Sequence, residues 1–124
     1  MIETSITGMD PAVIHHRVSG TVSDQEVLVG VKEALVLVRD VVTLSGKFDL
    51  ILDMRGYVVN IQTHRRWSLE FKEHELIVGN TDRVAVVGDD SPTLDAEKAL
   101  LASEKLNFFT SLAEAERWIA RKVD

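Results

Sequence analysis

Residues 2–7 alternate between two kinds of position, the pattern of a half-buried strand. Ile2, Thr4 and Ile6 point to one side and more polar residues point to the other. A second run, Ala12–Val18, predicts another strand, and the Gly-Met-Asp-Pro sequence at 8–11 predicts the turn between them. The pattern therefore predicts an antiparallel β-hairpin at the start of the chain.

The next stretch repeats apolar residues at the spacing of an amphipathic helix. Ser23 and Glu26 form a capping-box pair that predicts a helix start near Asp24, and Gly46 follows the last apolar repeat. The predicted core stripe of this helix consists of Val27, Val31, Ala34, Leu35 and Val38.

Buried strands and helices then alternate along the chain. Short apolar runs predict strands at 48–53, 83–88 and 106–109, and helical patterns predict helices at 63–77, 94–105 and 111–122. The predicted core residues are Leu50, Leu52, Val84, Val86, Phe108 and Trp118. This order predicts one α/β domain over 1–124, with a mixed, mostly parallel sheet, an N-terminal hairpin and about four helices.

Composition narrows the possible partners and the location. The formal net charge is −6 without a basic cluster, so we expect no nucleic-acid partner. The chain has no cysteine, which excludes thiol chemistry and fits the cytoplasm. The most apolar stretch, 27–44, contains four charged residues, and the first residues lack the features of a signal peptide. We therefore expect a cytoplasmic chain without a membrane span.

Several segments resemble the STAS-like family of the sporulation regulator SpoIIAA. Residues 83–89 (Arg-Val-Ala-Val-Val-Gly-Asp) resemble a core strand of that family, and 20–23 (Gly-Thr-Val-Ser) resemble the segment before its first helix. Phe108-Phe109 followed by 114–119 (Glu-Ala-Glu-Arg-Trp-Ile) resembles its C-terminal strand and helix. The resemblance implies the layered β-α superhelix that STAS regulators share with lipid-carrying CRAL-TRIO domains.

The regulatory members of that family carry a serine in the loop where this chain has residues 53–60. Here the loop reads Asp-Met-Arg-Gly-Tyr-Val-Val-Asn, without serine or threonine. The resemblance therefore implies neither a phosphorylated serine nor an assigned activity for this chain.

Three acidic residues follow predicted strands and are candidates for chemistry. Asp53, Asp89 and Asp90 would lie at the carboxyl ends of parallel strands, where ligands bind in α/β proteins. They could hold Mg²⁺ through oxygen ligands or accept a phosphoryl group. The alternative is a solvated loop whose short polar residues form turns.

The histidines do not have the spacing of a metal site. His15 and His16 point to opposite faces of one strand, and His64 and His74 are ten residues apart. His16 shares a face with the apolar side chains of its strand, which indicates a core or edge position. No cofactor is predicted.

An aromatic stripe suggests a ligand site. His64, Trp67, Phe71 and His74 repeat at helical spacing beside Arg65 and Arg66. One interpretation is a helix over an apolar groove with the two arginines at its mouth for an acid group. The other is ordinary core packing, which is common for such stripes.

The polar face of the first predicted helix contains two valines. Val29 and Val36 are seven residues apart among charges of both signs, including Lys32. This spacing favours a helix-helix contact between two copies, and thus a homodimer.

The sequence contains no recognisable catalytic motif. We therefore expect a non-catalytic binding or regulatory module that acts through a partner protein or a small lipid-like ligand, apolar with an acidic group. The alternative is a small enzyme or an Mg²⁺-dependent phospho-acceptor that uses Asp53 and Asp89.

Overall fold

A five-stranded sheet organises the fold in a computed structural model, which describes residues 1–8 and 11–121. The strands of the chain are β1 (Ile2–Thr7), β2 (Ala12–Val18), β3 (Gly20–Thr21), β4 (Phe48–Asp53), β5 (Tyr57–Val58), β6 (Thr81–Val87) and β7 (Leu106–Phe109). The main sheet has the order β1-β2-β4-β6-β7, with β1 antiparallel to β2 and every other pair parallel. This arrangement confirms the predicted hairpin and the mostly parallel sheet.

Helices connect the parallel strands. They are α1 (Asp24–Ser45), α2 (Ile61–Trp67), α3 (Glu75–Asn80), α4 (Pro92–Leu101) and α5 (Leu112–Ala120). The helix predicted over 63–77 is wrong as a single element, because a π-helical turn, Ser68–Lys72, follows α2 and α3 starts anew with His74 as its cap. The described residues therefore contain five helices, where about four were predicted.

Two predicted features fall on parts of the chain that the structure does not describe. The turn at 8–11 includes Met9 and Asp10, and the predicted end of the last helix is Lys122. The short strands β3 and β5, which pair in parallel outside the main sheet, were not predicted.

Helix α1 has the ends that its sequence predicts. The Ser23 hydroxyl accepts a hydrogen bond from the Glu26 amide, and the Glu26 carboxylate accepts one from the Ser23 amide. Gly46 ends the helix with a φ of 80°, a conformation that favours glycine, and its amide donates to the Val42 carbonyl.

The core lies on both faces of the sheet because β4 is buried on both. Leu50 and Leu52 face the larger apolar cluster under α1, whereas Ile51 faces a smaller cluster with α5. Of the predicted core residues, Leu50, Leu52 and Phe108 are buried. Val84 and Val86 are only half-buried, because α1 packs mainly against β1, β2 and β4.

Trp118 is also half-buried, so its predicted core position is only partly correct. Its ring packs against Phe109, and the Arg83 guanidinium lies 3.6 Å from the ring centroid. The same guanidinium donates to the Trp118 carbonyl at 2.6 Å. An arginine thus covers a tryptophan face that we expected to be covered by apolar side chains.

Membrane-spanning helices are not found in the described parts of the chain, 1–8 and 11–121. Even α1, with 22 residues, is not apolar enough to cross a bilayer.

Two helical glycines differ in the space around them and predict opposite effects of substitution. A Cβ atom on Gly30 would lie 2.8 Å from the Cβ and Cγ2 atoms of Ile2, so β1 would have to move. A Cβ atom on Gly79 would meet nothing within 4 Å. We expect Gly30→Ala to lower the free energy of unfolding by about 1 kcal/mol, the overpacking cost less the helix-propensity gain. Gly79→Ala should raise it by about 0.5–1 kcal/mol. Urea denaturation measures both, and equal stabilisation by the two changes would contradict the close contact of α1 with β1.

Candidate functional site

A buried histidine connects the hairpin to the helical segment at 61–80. His16 on β2 is fully buried and stacks on Phe71, with ring centroids 3.9 Å apart and planes 12° apart. Trp67 stacks at 5.9 Å from His16 and is 3% exposed. We call His16, Thr4, Trp67 and Phe71 the His16 cluster.

Both ring nitrogens of His16 have partners in this cluster. The Trp67 indole Nε1–H donates to His16 Nε2 at 2.9 Å. Because an indole nitrogen can only donate, Nε2 must be the acceptor and the ring proton must be on Nδ1. Nδ1 lies 2.8 Å from the Thr4 hydroxyl oxygen and therefore donates to it. The cluster thus holds a neutral imidazole in one tautomer.

Burial lowers the pKa of His16 from its ordinary 6.5 to about 4. The cause is desolvation, which disfavours the charged ring. Protonation at Nε2 would also place two hydrogens between His16 and Trp67 and break their hydrogen bond.

The opposite side of the same helical segment carries an open groove of about 360 Å³. We call it the 59–73 groove. Its lining residues are Val59, Ile61, His64, Arg65, Ser68, Leu69 and Glu73. The three aliphatic residues are 59% (Val59), 73% (Ile61) and 59% (Leu69) exposed.

The two adjacent arginines on α2 differ in their charge partners. Arg66 pairs with Asp24 of α1 at 3.8 Å and with Glu70 at 3.4 Å. Arg65 is exposed and lines the groove, and it forms no ion pair with any residue that the structure describes. Arg65 therefore keeps its charge available to a ligand.

His64 lies between the groove and the His16 cluster. Its ring stacks on Trp67 at 5.5 Å, and its Nδ1 is 3.2 Å from the Tyr57 hydroxyl. Burial, followed by the nearby charge of Lys72, lowers the pKa of His64 below its ordinary value. His64 thus lines the groove on one side and contacts the indole that holds His16 on the other.

The predicted aromatic stripe is divided between these two sides. His64 and Arg65 line the groove, whereas Trp67 and Phe71 belong to the buried cluster. His74 lies in neither place, because its Nδ1 accepts from the Leu76 amide and caps α3. The groove is therefore on the outer side of the segment, whereas we expected it beneath the aromatic residues.

Two members of the predicted acid set, Asp53 and Asp89, already have protein partners. The two oxygens of Asp53 accept from Arg55, Nε to Oδ1 at 2.9 Å and Nη2 to Oδ2 at 2.8 Å. Burial alone would raise the pKa of Asp53, but these bonds and the Arg55 amide outweigh it, so the pKa lies below its ordinary value. Asp89 accepts from the Gly56 amide at 2.8 Å.

Asp53, Asp89 and Asp90 do not form a group that could share a metal ion. No three His, Asp or Glu side chains do so elsewhere in the part of the chain that is described. The Arg55 guanidinium contacts both carboxylate oxygens of Asp53, the atoms that would bind a cation.

The valines predicted for a dimer contact lie on the outer face of α1. Val29 is 47% and Val36 is 53% exposed, and Lys32 is exposed between them. Their exposure agrees with the assigned face, and the homodimer itself stays a prediction.

Sequence analysis predicted a groove near His64 and Arg65, but not its outer position, its aliphatic lining or the bond between His16 and Trp67. Two further signals were present: Val59 and Ile61 are apolar residues outside any predicted element, and His16 lies on an apolar strand face. Neither signal indicates which side chains meet in space.

The strand order and the helices between the strands form an α/β fold of the SpoIIAA-like type. A solved structure with this fold is that of an uncharacterised protein of the DUF3478 family from Shewanella loihica PV-4, with a TM-score of 0.61 and 15% sequence identity. The match covers 95% of this chain and 93% of that one. It confirms the fold that the STAS-like resemblance implied. No protein-family model matches the chain, and neither does any curated protein.

The neutral His16 predicts a loss of stability at acid pH. The unfolded chain takes up a proton near pH 6.5, whereas folded His16 does so only near pH 4. The full stability is therefore present above pH 6.5, and about 3 kcal/mol is lost as the pH falls to 4. Urea denaturation across this pH range measures the loss. His16→Gln should remove the part of the pH dependence of the unfolding free energy that comes from His16. His15→Gln, on the opposite face of β2, is the matched control and should keep it. If His16→Gln has the same pH dependence of stability as the wild type, His16 is not the group responsible for the loss.

Proposed function

We propose that the protein is a non-catalytic binding module that takes a small, largely apolar ligand with an acidic group in the 59–73 groove. The observation that supports this proposal is the combination of exposed Val59, Ile61 and Leu69 with the unpaired charge of Arg65. Aliphatic side chains remove the ligand body from water, and the guanidinium binds its acid group.

Exposed aliphatic side chains that are grouped around one groove are more typical of a binding surface than of ordinary protein surface. Single exposed apolar residues are common in soluble proteins, but three of them around one concavity expose a contiguous apolar patch. The groove volume of about 360 Å³ is at the lower end of the range for small-molecule sites. The π-helical turn at Ser68–Lys72 contributes two of the lining residues, and such turns are frequent at functional sites.

Arg65 gives the groove its preference for an acidic group. Its neighbour Arg66 is held by Asp24 and Glu70, so of these two arginines only Arg65 has no carboxylate partner among the described residues. Glu73 lies elsewhere in the same groove and disfavours a second negative charge. We therefore propose a ligand with one acid group and an apolar body.

Contacts within the module support a regulatory use of ligand binding. A ligand in the groove would touch His64, which stacks on Trp67, which in turn donates to His16. Occupation of the groove would thus restrict the helical segment relative to the hairpin. The restricted surface could then be recognised by a partner protein.

We also propose a cytoplasmic location and assembly as a homodimer. The cysteine-free composition is compatible with a reducing compartment. Support for the dimer comes from Val29 and Val36 on the outer face of α1, at heptad spacing.

Binding of dodecanoate tests the groove. We expect saturable binding by calorimetry, with amide shift changes in NMR spectra concentrated at residues 59–73. Arg65→Gln should weaken dodecanoate binding by about 1–2 kcal/mol, the value of one charge-assisted hydrogen bond, which is about five- to thirtyfold. Binding of dodecanol, which has no acid group, should be unaffected by this change.

Matched variants distinguish a specific effect on the groove from a general effect of substitution on the protein. Arg66→Gln removes a neighbouring charge outside the groove and should leave dodecanoate binding unchanged. Leu69→Ser should weaken both ligands, whereas Val78→Ser changes an equally exposed residue of α3 and should weaken neither. Absence of binding, or shift changes centred at Asp53, would sink the small-ligand proposal, and groove binding by a protein fragment alone would replace it with a protein partner.

The homodimer has its own test. We expect the wild type to sediment as a dimer at tens of micromolar, and Val29→Glu/Val36→Glu to sediment as a monomer because it places carboxylates in the contact. Val78→Glu, at an exposed valine of another helix, should stay dimeric. A monomeric wild type, or a dimeric double variant, would exclude α1 as the interface.

A further inference from the structure

On the outer face of α1, Val29 and Val36 form a valine stripe. The charges on its two sides have opposite signs. Relative to each valine, the residue three positions later lies on one side of the helix and the residue four positions later lies on the other. After Val29 these residues are Lys32 and Glu33, and after Val36 the same order follows. The stripe therefore has a basic edge, Lys32 and Arg39, and an acidic edge, Glu33 and Asp40.

These edge charges are available to a partner. All four side chains are exposed, and none forms an ion pair with another residue in 1–8 or 11–121. Core-facing Val31, Ala34 and Val38 on the opposite side of α1 hold the helix on the sheet. The edges thus have a fixed orientation relative to the rest of the molecule.

Symmetry decides which orientation of two such helices is favourable. A two-fold axis parallel to both helices places the basic edge of each copy opposite the acidic edge of the other. A two-fold axis perpendicular to the helices, which makes them antiparallel, places basic opposite basic and acidic opposite acidic.

We infer that a second copy of this chain binds to the α1 face with the two α1 helices parallel, valine against valine. Lys32 and Arg39 of one copy then face Glu33 and Asp40 of the other. The inference rests on the proposed homodimer and is independent of the groove. The valines supply the apolar contact, and the charges select the parallel orientation and exclude the antiparallel one.

Single cysteines can test the orientation, because the natural chain has none. In a parallel pair position 29 lies opposite position 29, and 36 lies opposite 36. Val29→Cys and Val36→Cys should therefore each form self-linked dimers with a short thiol cross-linker, about tenfold or more faster than Val78→Cys, since paired thiols have a high effective concentration. A mixture of the two variants should yield little 29-to-36 product.

The same experiment gives different cross-linking results for an antiparallel dimer and for a chain that does not dimerise through α1. Preferential 29-to-36 linkage would establish an antiparallel dimer and overturn the inference while leaving the homodimer intact. Rates no higher than that of Val78→Cys would overturn both.

Reversing the charges of the basic edge provides a second test of the parallel orientation. Lys32→Glu/Arg39→Glu makes both edges acidic and should slow self-linking of Val29→Cys by about tenfold at low salt, after correction for its rate with a small neutral thiol reagent. Mixing this variant with one that carries Glu33→Lys/Asp40→Lys and Val29→Cys should restore the rate. No slowing, or no recovery on mixing, would contradict the role of the edge charges.

Discussion

The position of the helical segment at 61–80 depends on the buried imidazole of His16. A buried polar group must keep its hydrogen bonds, because an unsatisfied one costs about 1–3 kcal/mol. His16 meets this constraint with one partner from each side, Thr4 of the edge strand and Trp67 of α2. The hairpin and α2 are thereby held in one relative orientation. A purely apolar contact would not specify that orientation as narrowly, since dispersion and burial have little directional preference.

This orientation also determines which surface is left outside. With Trp67 and Phe71 turned towards His16, Ile61, Arg65 and Leu69 point away from the core. The groove is thus the outer side of a segment whose inner side is held by hydrogen bonds and ring stacking. His64 contacts both sides and connects them physically. A binding surface supported in this way is preorganised, which reduces the entropy that a ligand must overcome.

Local sequence patterns predicted the fold well, but they did not predict which side chains contact one another in space. The alternation of Ile2–Thr7, the Ser23–Glu26 box and the apolar run of β4 each reflect interactions within a few residues, so they can be read from the chain. The π turn that divides 63–77 contains Phe71, which stacks on His16, fifty-five residues away in sequence. Asp53 looked available for chemistry because the pattern could not show that Arg55 folds back onto it. The same holds for Trp118, whose outer face is covered by Arg83.

The proposed dimer and the proposed groove are connected through the first turn of α1. Asp24 accepts from the Thr63 hydroxyl at 3.0 Å and pairs with Arg66, so the start of α2 is tied to the start of α1. In a parallel dimer the N-termini of both α1 helices lie at the same end of the two-fold axis. Both α2 segments, and hence both grooves, would then be at that end too. Two sites held at a fixed separation can bind a partner or a surface that carries several ligand groups far more tightly than one site can. An antiparallel pair would place the grooves at opposite ends, so the edge charges of α1 would determine whether both grooves can bind groups on one surface.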